Sequence, residues 1–227
     1  MSVHLTNLLA RIREERDMYA IMELVALCGR AEHGIADSST EELQAHWRNH
    51  SFHLESDAWV IVNNKGQFVG FGAVCHNDYE EYHTFVCVHP DYRKRGIGTL
   101  LLRLIEERAR QQMYHTSLAR RVCMKALVSS QNSEARSLFE REGYTQAREF
   151  WRVTVVLDDA LELRQRVGIR TLDVAVESRQ LVGVAPLYDR EAVYSIRWYC
   201  EYEKELRPGG LPELCEDGET GLAVTYS

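Results

Sequence analysis

A β-branched run that halts at a proline and reopens as a helix does most to limit how this chain can fold. The stretch is Val86-Cys87-Val88-His89-Pro90-Asp91-Tyr92-Arg93-Lys94-Arg95-Gly96-Ile97-Gly98-Thr99, continuing into Leu100-Leu101-Leu102-Arg103-Leu104-Ile105. The valines suit a strand, proline cannot extend its ladder, and the leucines that follow repeat with helical period. Strand, basic glycine turn and helix in that order predict α/β layering. The mouth of such a helix has unpaired N–H groups and a partial positive charge, so it attracts an anion. Gly96 and Gly98 let the backbone come close to a bulky phosphate, and Arg93, Lys94 and Arg95 bring charge to it. The amides from Arg93 through Ile97 to Thr99 are a candidate diphosphate cradle.

Spacing separates this cradle from two others. A Walker loop needs Gly-Lys-Ser or Gly-Lys-Thr, whereas Gly98 precedes Thr99-Leu100. A dinucleotide fingerprint needs a small residue where Leu101 stands. The pattern R-x-x-G-x-G after V-x-V-H-P resembles the GNAT superfamily of acyl-CoA-dependent N-acetyltransferases. A second segment, Asn132-x-x-Ala135-x-x-Leu138-Phe139-Glu140-Arg141-x-Gly143-Tyr144, is similar to that family's N-x-x-A-x-x-L-Y-E-K-x-G-F helix.

Periodicity elsewhere gives the same order. A strand is expected over 3–9, a helix over 14–30 and, from the Ser39/Glu42 capping box, a second helix to about His50. Residues 58–62 and 67–74 flank Asn63-Asn64-Lys65-Gly66 as a hairpin. A strand over 82–88 leads into the helix of 98–115, with a strand over 121–128, a helix over 134–142 and a strand over 150–157. The resemblance implies an α/β (α+β) GNAT fold, a mixed central sheet with helices on both faces, splayed between the strands that flank the cofactor helix. It covers residues 1–157 as an acetyltransferase domain. Residues 158–227 form a C-terminal extension in which Ile169 to Leu172 and a helix-like stretch over 187–205 resemble the opening of a partial second GNAT unit. Gly221 to Tyr226 is a candidate strand for completing the sheet edge.

The resemblance also implies chemistry. Acetyl-CoA is the acyl donor and a primary amine of a small-molecule acceptor attacks the thioester directly. The main chain of Val86, Cys87 and Val88 meets the pantetheine and acyl carbonyl, the cradle takes the diphosphate, and Asn132 contacts the cofactor from across the gap. Many members use a tyrosine on the helix after Asn132 to protonate the leaving sulfur, but here Phe139 stands there and cannot donate a proton. A carboxylate on the strand before the cradle often serves as base. Tyr82 and Glu81 are the catalytic candidates, because strand alternation puts Tyr82, Thr84, Val86 and Val88 on one face and Glu81 one register step away. Loss of the usual tyrosine leaves a non-catalytic acyl-CoA-binding or interaction module as the alternative, and a mononucleotide-binding enzyme as a third reading.

Composition narrows the partners. A net charge of −7 argues against a nucleic-acid binder and makes the basic triplet a local feature suited to a small anion. The acidic run Asn77-Asp78-Tyr79-Glu80-Glu81 would suit a cationic acceptor. No apolar run approaches the roughly 20 residues that span a bilayer. The six cysteines form no C-x-x-C pair and the nine histidines no H-x-x-x-H spacing, so free thiols in a reducing cytoplasm and no metal site are expected. A homodimer is the expected assembly.

Overall fold

The computed structural model describes residues 7–34, 57–76, 79–156, 171–172 and 192–210. Its strands are β1 (Leu8–Ile12), β2 (Ala58–Asn63), β3 (Phe68–His76), β4 (Glu81–Val88), β5 (Val122–Ser129), β6 (Thr145–Val156), β7 (Thr171–Leu172) and β8 (Ala192–Arg207). They form one sheet in the order β1-β2-β3-β4-β5-β8-β6-β7. Only β4 and β5 run parallel; the other neighbours are antiparallel. The helices are α1 (Met18–His33), α2 (Ile97–Gln112) and α3 (Ser133–Arg141).

Alternation along β4 shows which helix covers which face. Tyr82 and Val86 pack with Leu102 and Ile105 of α2, whereas Phe85 and Cys87 pack with Ile21, Leu24 and Val25 of α1. Helices therefore cover both faces, as the sequence predicts. The buried stripe Ile97, Leu101, Leu102, Ile105 and Ala109 gives α2 its single apolar side. That side lies close to the sheet because β3 has glycines beneath it. A Cβ on Gly70 would come 2.7 Å from Ile97 Cγ2, and one on Gly72 would come 2.9 Å from Ile105 Cδ1.

The tail departs from expectation. Residues 192–207 form a strand, not a helix, and β8 inserts between β5 and β6, antiparallel to both. The reason is visible in its second half: Cys200, Tyr202 and Leu206 enter the core, while Glu201, Glu203 and Glu205 alternate with them and pair with Arg148 and Arg121. That is period two, which packs as a strand. Thr171–Leu172 likewise pairs with β6 in the same sheet. The described part of the tail, β7 and β8, thus joins the same sheet as the rest of the chain. The expected helix over 39–50 and the expected strand at Gly221 to Tyr226 lie outside the described residues.

Candidate active site

Strands β4 and β5 pair only at Glu81↔Cys123, Tyr82↔Met124, His83↔Lys125 and Thr84↔Ala126. Beyond Thr84 they part. The rest of β4 stays with β3, and the rest of β5 stays with β8. A pocket of about 120 Å³ fills the wedge. Thr84 to Cys87 form one wall and Leu127 to Ser129 the other, with Cys28, Glu32 and His33 of α1 above them. Asn132, Ala135 and Phe139 close the α3 side, and Tyr199 of β8 completes the lining.

Backbone direction shows what the wedge offers. His89 N donates to Val69 O at 3.0 Å, and Cys123 N donates to Glu80 O at 2.9 Å. By alternation the odd residues Phe85 and Cys87 turn their backbone to β3, and Thr84, Val86 and Val88 turn theirs toward β5. Past Thr84 that side is open, so Val86 presents N–H and C=O to the gap as an exposed strand edge. Val88 O is already engaged, by the Cys28 thiol at 3.3 Å and Arg93 Nε at 3.5 Å. Of the three residues expected to bind through their main chain, Val86 has the open position, and Cys87 enters the pocket by its side chain instead. The Cys87 thiol pulls Cys28 down and is itself pushed up by the same contact.

Strand, turn and helix follow one another in the expected order, and the turn is strained at one unexpected residue. Gly96 caps α2 at φ +83, and Lys94 also takes the left-handed region at φ +61. Leu100 N is the first amide to close onto the turn, bonding Gly96 O at 3.0 Å. Among the described residues the amides from Lys94 to Thr99 meet no acceptor, which is the unsatisfied donor set an oxyanion needs. This donor set fits the diphosphate of acetyl-CoA. The side chains contribute less than their charge suggests. Arg93 Nη2 is bound to Glu32 Oε1 at 2.9 Å, Lys94 to Glu134 at 2.9 Å, and Arg95 lies 4.7 Å from the Tyr92 ring. Gly98 also has a packing consequence. A Cβ there would come 2.8 Å from Leu138 Cδ2, so the missing side chain lets α3 reach the start of α2.

Asn132 caps α3, its Oδ1 accepting from Ala135 N at 2.9 Å while Nδ2 donates to Glu32 Oε1 at 2.5 Å. Glu32 therefore joins the cradle arginine on one side of the wedge to the α3 cap on the other.

Neither catalytic candidate lines the pocket. Tyr82 is fully buried among Leu102, Ile105 and Met124, its hydroxyl without a partner among the described residues and its pKa raised by desolvation. Glu81 is exposed and bound to Lys125 Nζ at 2.6 Å. Glu80 lies 3.6 Å from Arg120, so the acidic run meets cations of its own chain. Tyr144 bonds Met124 Sδ at 3.5 Å deep in the core. Phe139 does stand at the pocket, edge-on to Tyr144 and stacked on Tyr202.

Sequence reasoning missed Glu32, His33 and Tyr199, and placed Thr84 on the same strand face as Val86 without giving it a role. The α1 residues look like an ordinary polar helix end, and Tyr199 was hidden in a stretch taken for a helix. Its period-two neighbours were the available signal.

A family model described as an acetyltransferase (GNAT) domain matches residues 55–146, from β2 through the cradle to α3. The chain carries a GNAT acetyltransferase domain. Acetyl-CoA is the acyl donor of that family. Solved structures share the fold. A GCN5-related N-acetyltransferase from Sphaerobacter thermophilus superposes with a TM-score of 0.71 at 19% identity, covering 90% of this chain and 98% of its own. A Salmonella typhimurium protein solved with its cofactor acetyl-CoA gives 0.55 at 15%, covering 92% and 100%. The ribosomal-protein-S18-alanine N-acetyltransferase from Escherichia coli gives 0.53 at 14%, covering 89% and 96%. No curated protein matches the sequence. Among the described residues of the GNAT chain no helix is long and apolar enough to cross a membrane, and no group of side chains could hold a metal ion.

Proposed function

We propose that this GNAT domain transfers an acetyl group from acetyl-CoA to a primary amine of a small acceptor. The observation that carries the reading is the order of parts along one stretch of chain. The pocket wall of Thr84 to Cys87 includes the open strand position at Val86, and the free amides of Lys94 to Thr99 follow it in the chain. The amides of Lys94 to Thr99 would hold the diphosphate and the Val86 edge the pantetheine amides, with Asn132 and Glu32 bordering the far side. Bound acetyl-CoA supplies an activated acyl carbon with a good leaving group. The amine nitrogen forms the new C–N bond, the C–S bond breaks, the sulfur keeps the electron pair, and the amine loses a proton.

The chain's own contribution is to move those protons. Tyr199 lines the pocket where Phe139 cannot donate, and His33 faces it with ring centroids 6.1 Å apart. Tyr199 is the donor we assign to the leaving sulfur, and His33 the base for the amine through its imidazole nitrogen. Tyr82 and Glu81 are given no role in this reading because of where they lie. A small acceptor suits the size of the pocket. A cytoplasmic setting belongs to the same reading, since the five described cysteines are free thiols, the form a reducing compartment preserves.

The test is calorimetric titration with acetyl-CoA and CoA, then thiol release with a panel of amines. Binding of both ligands, with CoA release stimulated by an amine, is expected. Tyr199→Phe and His33→Ala should each lower the rate about 10²-fold or more with acetyl-CoA binding retained. Absence of binding to either ligand would remove the reading. Binding without release across the panel would favour a non-catalytic module, for which Phe139 is the supporting observation.

A further inference from the structure

Thr84 marks the vertex of the wedge. It is the last residue of β4 paired with β5, it lines the pocket, and its residue is 8% exposed. Its hydroxyl oxygen is buried and, among the described residues, has no hydrogen-bond partner. A buried hydroxyl left unpaired is costly, and folded proteins nearly always satisfy such a group. Its ladder neighbours offer no side-chain acceptor: Ala126 on β5 and Val74 on β3 are apolar. Val86 and Phe139, which line the same pocket, are apolar too, so a ligand seated in the pocket is what can bring an acceptor to Thr84.

Position says which part of a ligand arrives there. The cradle begins just after Val88, and Thr84 is four residues back along β4, about 13 Å at strand rise. A linear carrier held by its diphosphate at the mouth of α2 and laid along the Val86 edge brings its far end, not its middle, to the vertex.

We propose that the Thr84 hydroxyl donates a hydrogen bond to the acyl carbonyl oxygen of the thioester, making Thr84 a catalytic and acyl-recognising residue. This rests on the acetyl-CoA reading above. The oxygen gains negative charge as the amine attacks, so a fixed donor stabilises that charge more than the ground state. The proton stays on Thr84 throughout, and the hydroxyl regains its unpartnered state once product leaves. CoA itself lacks the thioester carbonyl that Thr84 would meet, so the residue should distinguish acyl-CoA from CoA.

The variants are Thr84→Val, which keeps the shape and removes the donor, and Thr84→Ser, which keeps the donor. Affinities for acetyl-CoA, CoA and S-ethyl-CoA, a thioether in which a methylene replaces the carbonyl, are measured by calorimetry. Thr84→Val should weaken acetyl-CoA about three- to tenfold, the effect of one neutral hydrogen bond, and leave CoA and S-ethyl-CoA unchanged. Turnover should fall about 10²- to 10³-fold. Thr84→Ser should restore the preference for acetyl-CoA. Without ligand, Thr84→Val should melt no lower than the wild type, because an orphan hydroxyl has been replaced by a methyl. An unchanged ratio of acetyl-CoA to CoA affinity in a folded Thr84→Val would overturn the inference and leave the broader reading standing. If that variant does not fold, equal wild-type affinity for acetyl-CoA and S-ethyl-CoA overturns it equally well. A wild type that binds none of the three would instead remove the acetyl-CoA reading itself.

Discussion

Asp17 shows how much a single buried carboxylate controls at the first turn of the chain. It is 4% exposed and receives Arg11 at 2.6 and 2.8 Å and the Glu14 amide at 2.7 Å. The Arg11 hydrogen bonds hold its carboxyl below the ordinary value of 3.8. The folded state therefore binds this proton less tightly than the unfolded chain, and the stabilisation is complete above the ordinary value and lost as pH falls through the depressed one. Asp17→Asn should cost about 1–3 kcal/mol at neutral pH and flatten the loss of stability below about pH 4. Urea unfolding at several pH values would check both. At the α3 cap, Asn132→Ala removes the bond to Ala135 N and should cost about 1 kcal/mol. Single residues were also where the sequence misled. Tyr82 occupies the face its alternation predicts, but two positions too deep to reach the pocket, because the strands separate only after Thr84.

Elements succeed or fail here by how closely they approach. The helix α2 was legible from its leucine period, and the cradle from its glycines. The reason α2 can lie so close is on a different strand, at Gly70 and Gly72. Gly70→Ala would force Ile97, Ile61 and Leu101 apart, since its Cβ would come 2.7, 3.1 and 3.2 Å from them. A loss of about 1–3 kcal/mol is expected, measurable as a lowered denaturation midpoint with unchanged slope. Gly98→Ala should weaken stability and ligand binding together. Its Cβ would push Leu138 and with it the helix that carries Asn132 and Phe139. Loss of binding in a variant as stable as the wild type would instead locate the role of Gly98 at the phosphate.

At the scale of the molecule the decisive element is β8. It pairs along its length with β5 on one side and β6 on the other, so removing it leaves two strand edges and an open core beside Met124 and Tyr144. A chain ending at residue 157 should aggregate or lose cooperative unfolding, which calorimetric melting of the truncated protein would show. A sharp, reversible transition in that truncation would contradict the sheet order. β8 also brings Tyr199 to the pocket, opposite Ser129. The site therefore depends on a strand that lies far along the chain from the cradle.

Local order was written in the sequence: the strand, turn and helix around the cradle, the α3 cap at Asn132, and the family they resemble. Those features depend on backbone conformation and side-chain period over a few neighbours, which a linear pattern records. Tertiary structure alone decided which side chains face the wedge. The parting of β4 from β5 at Thr84, the insertion of β8 and the span of Glu32 from Arg93 to Asn132 each join residues distant in sequence. No local period encodes such meetings, because they are set by how the sheet closes around its core.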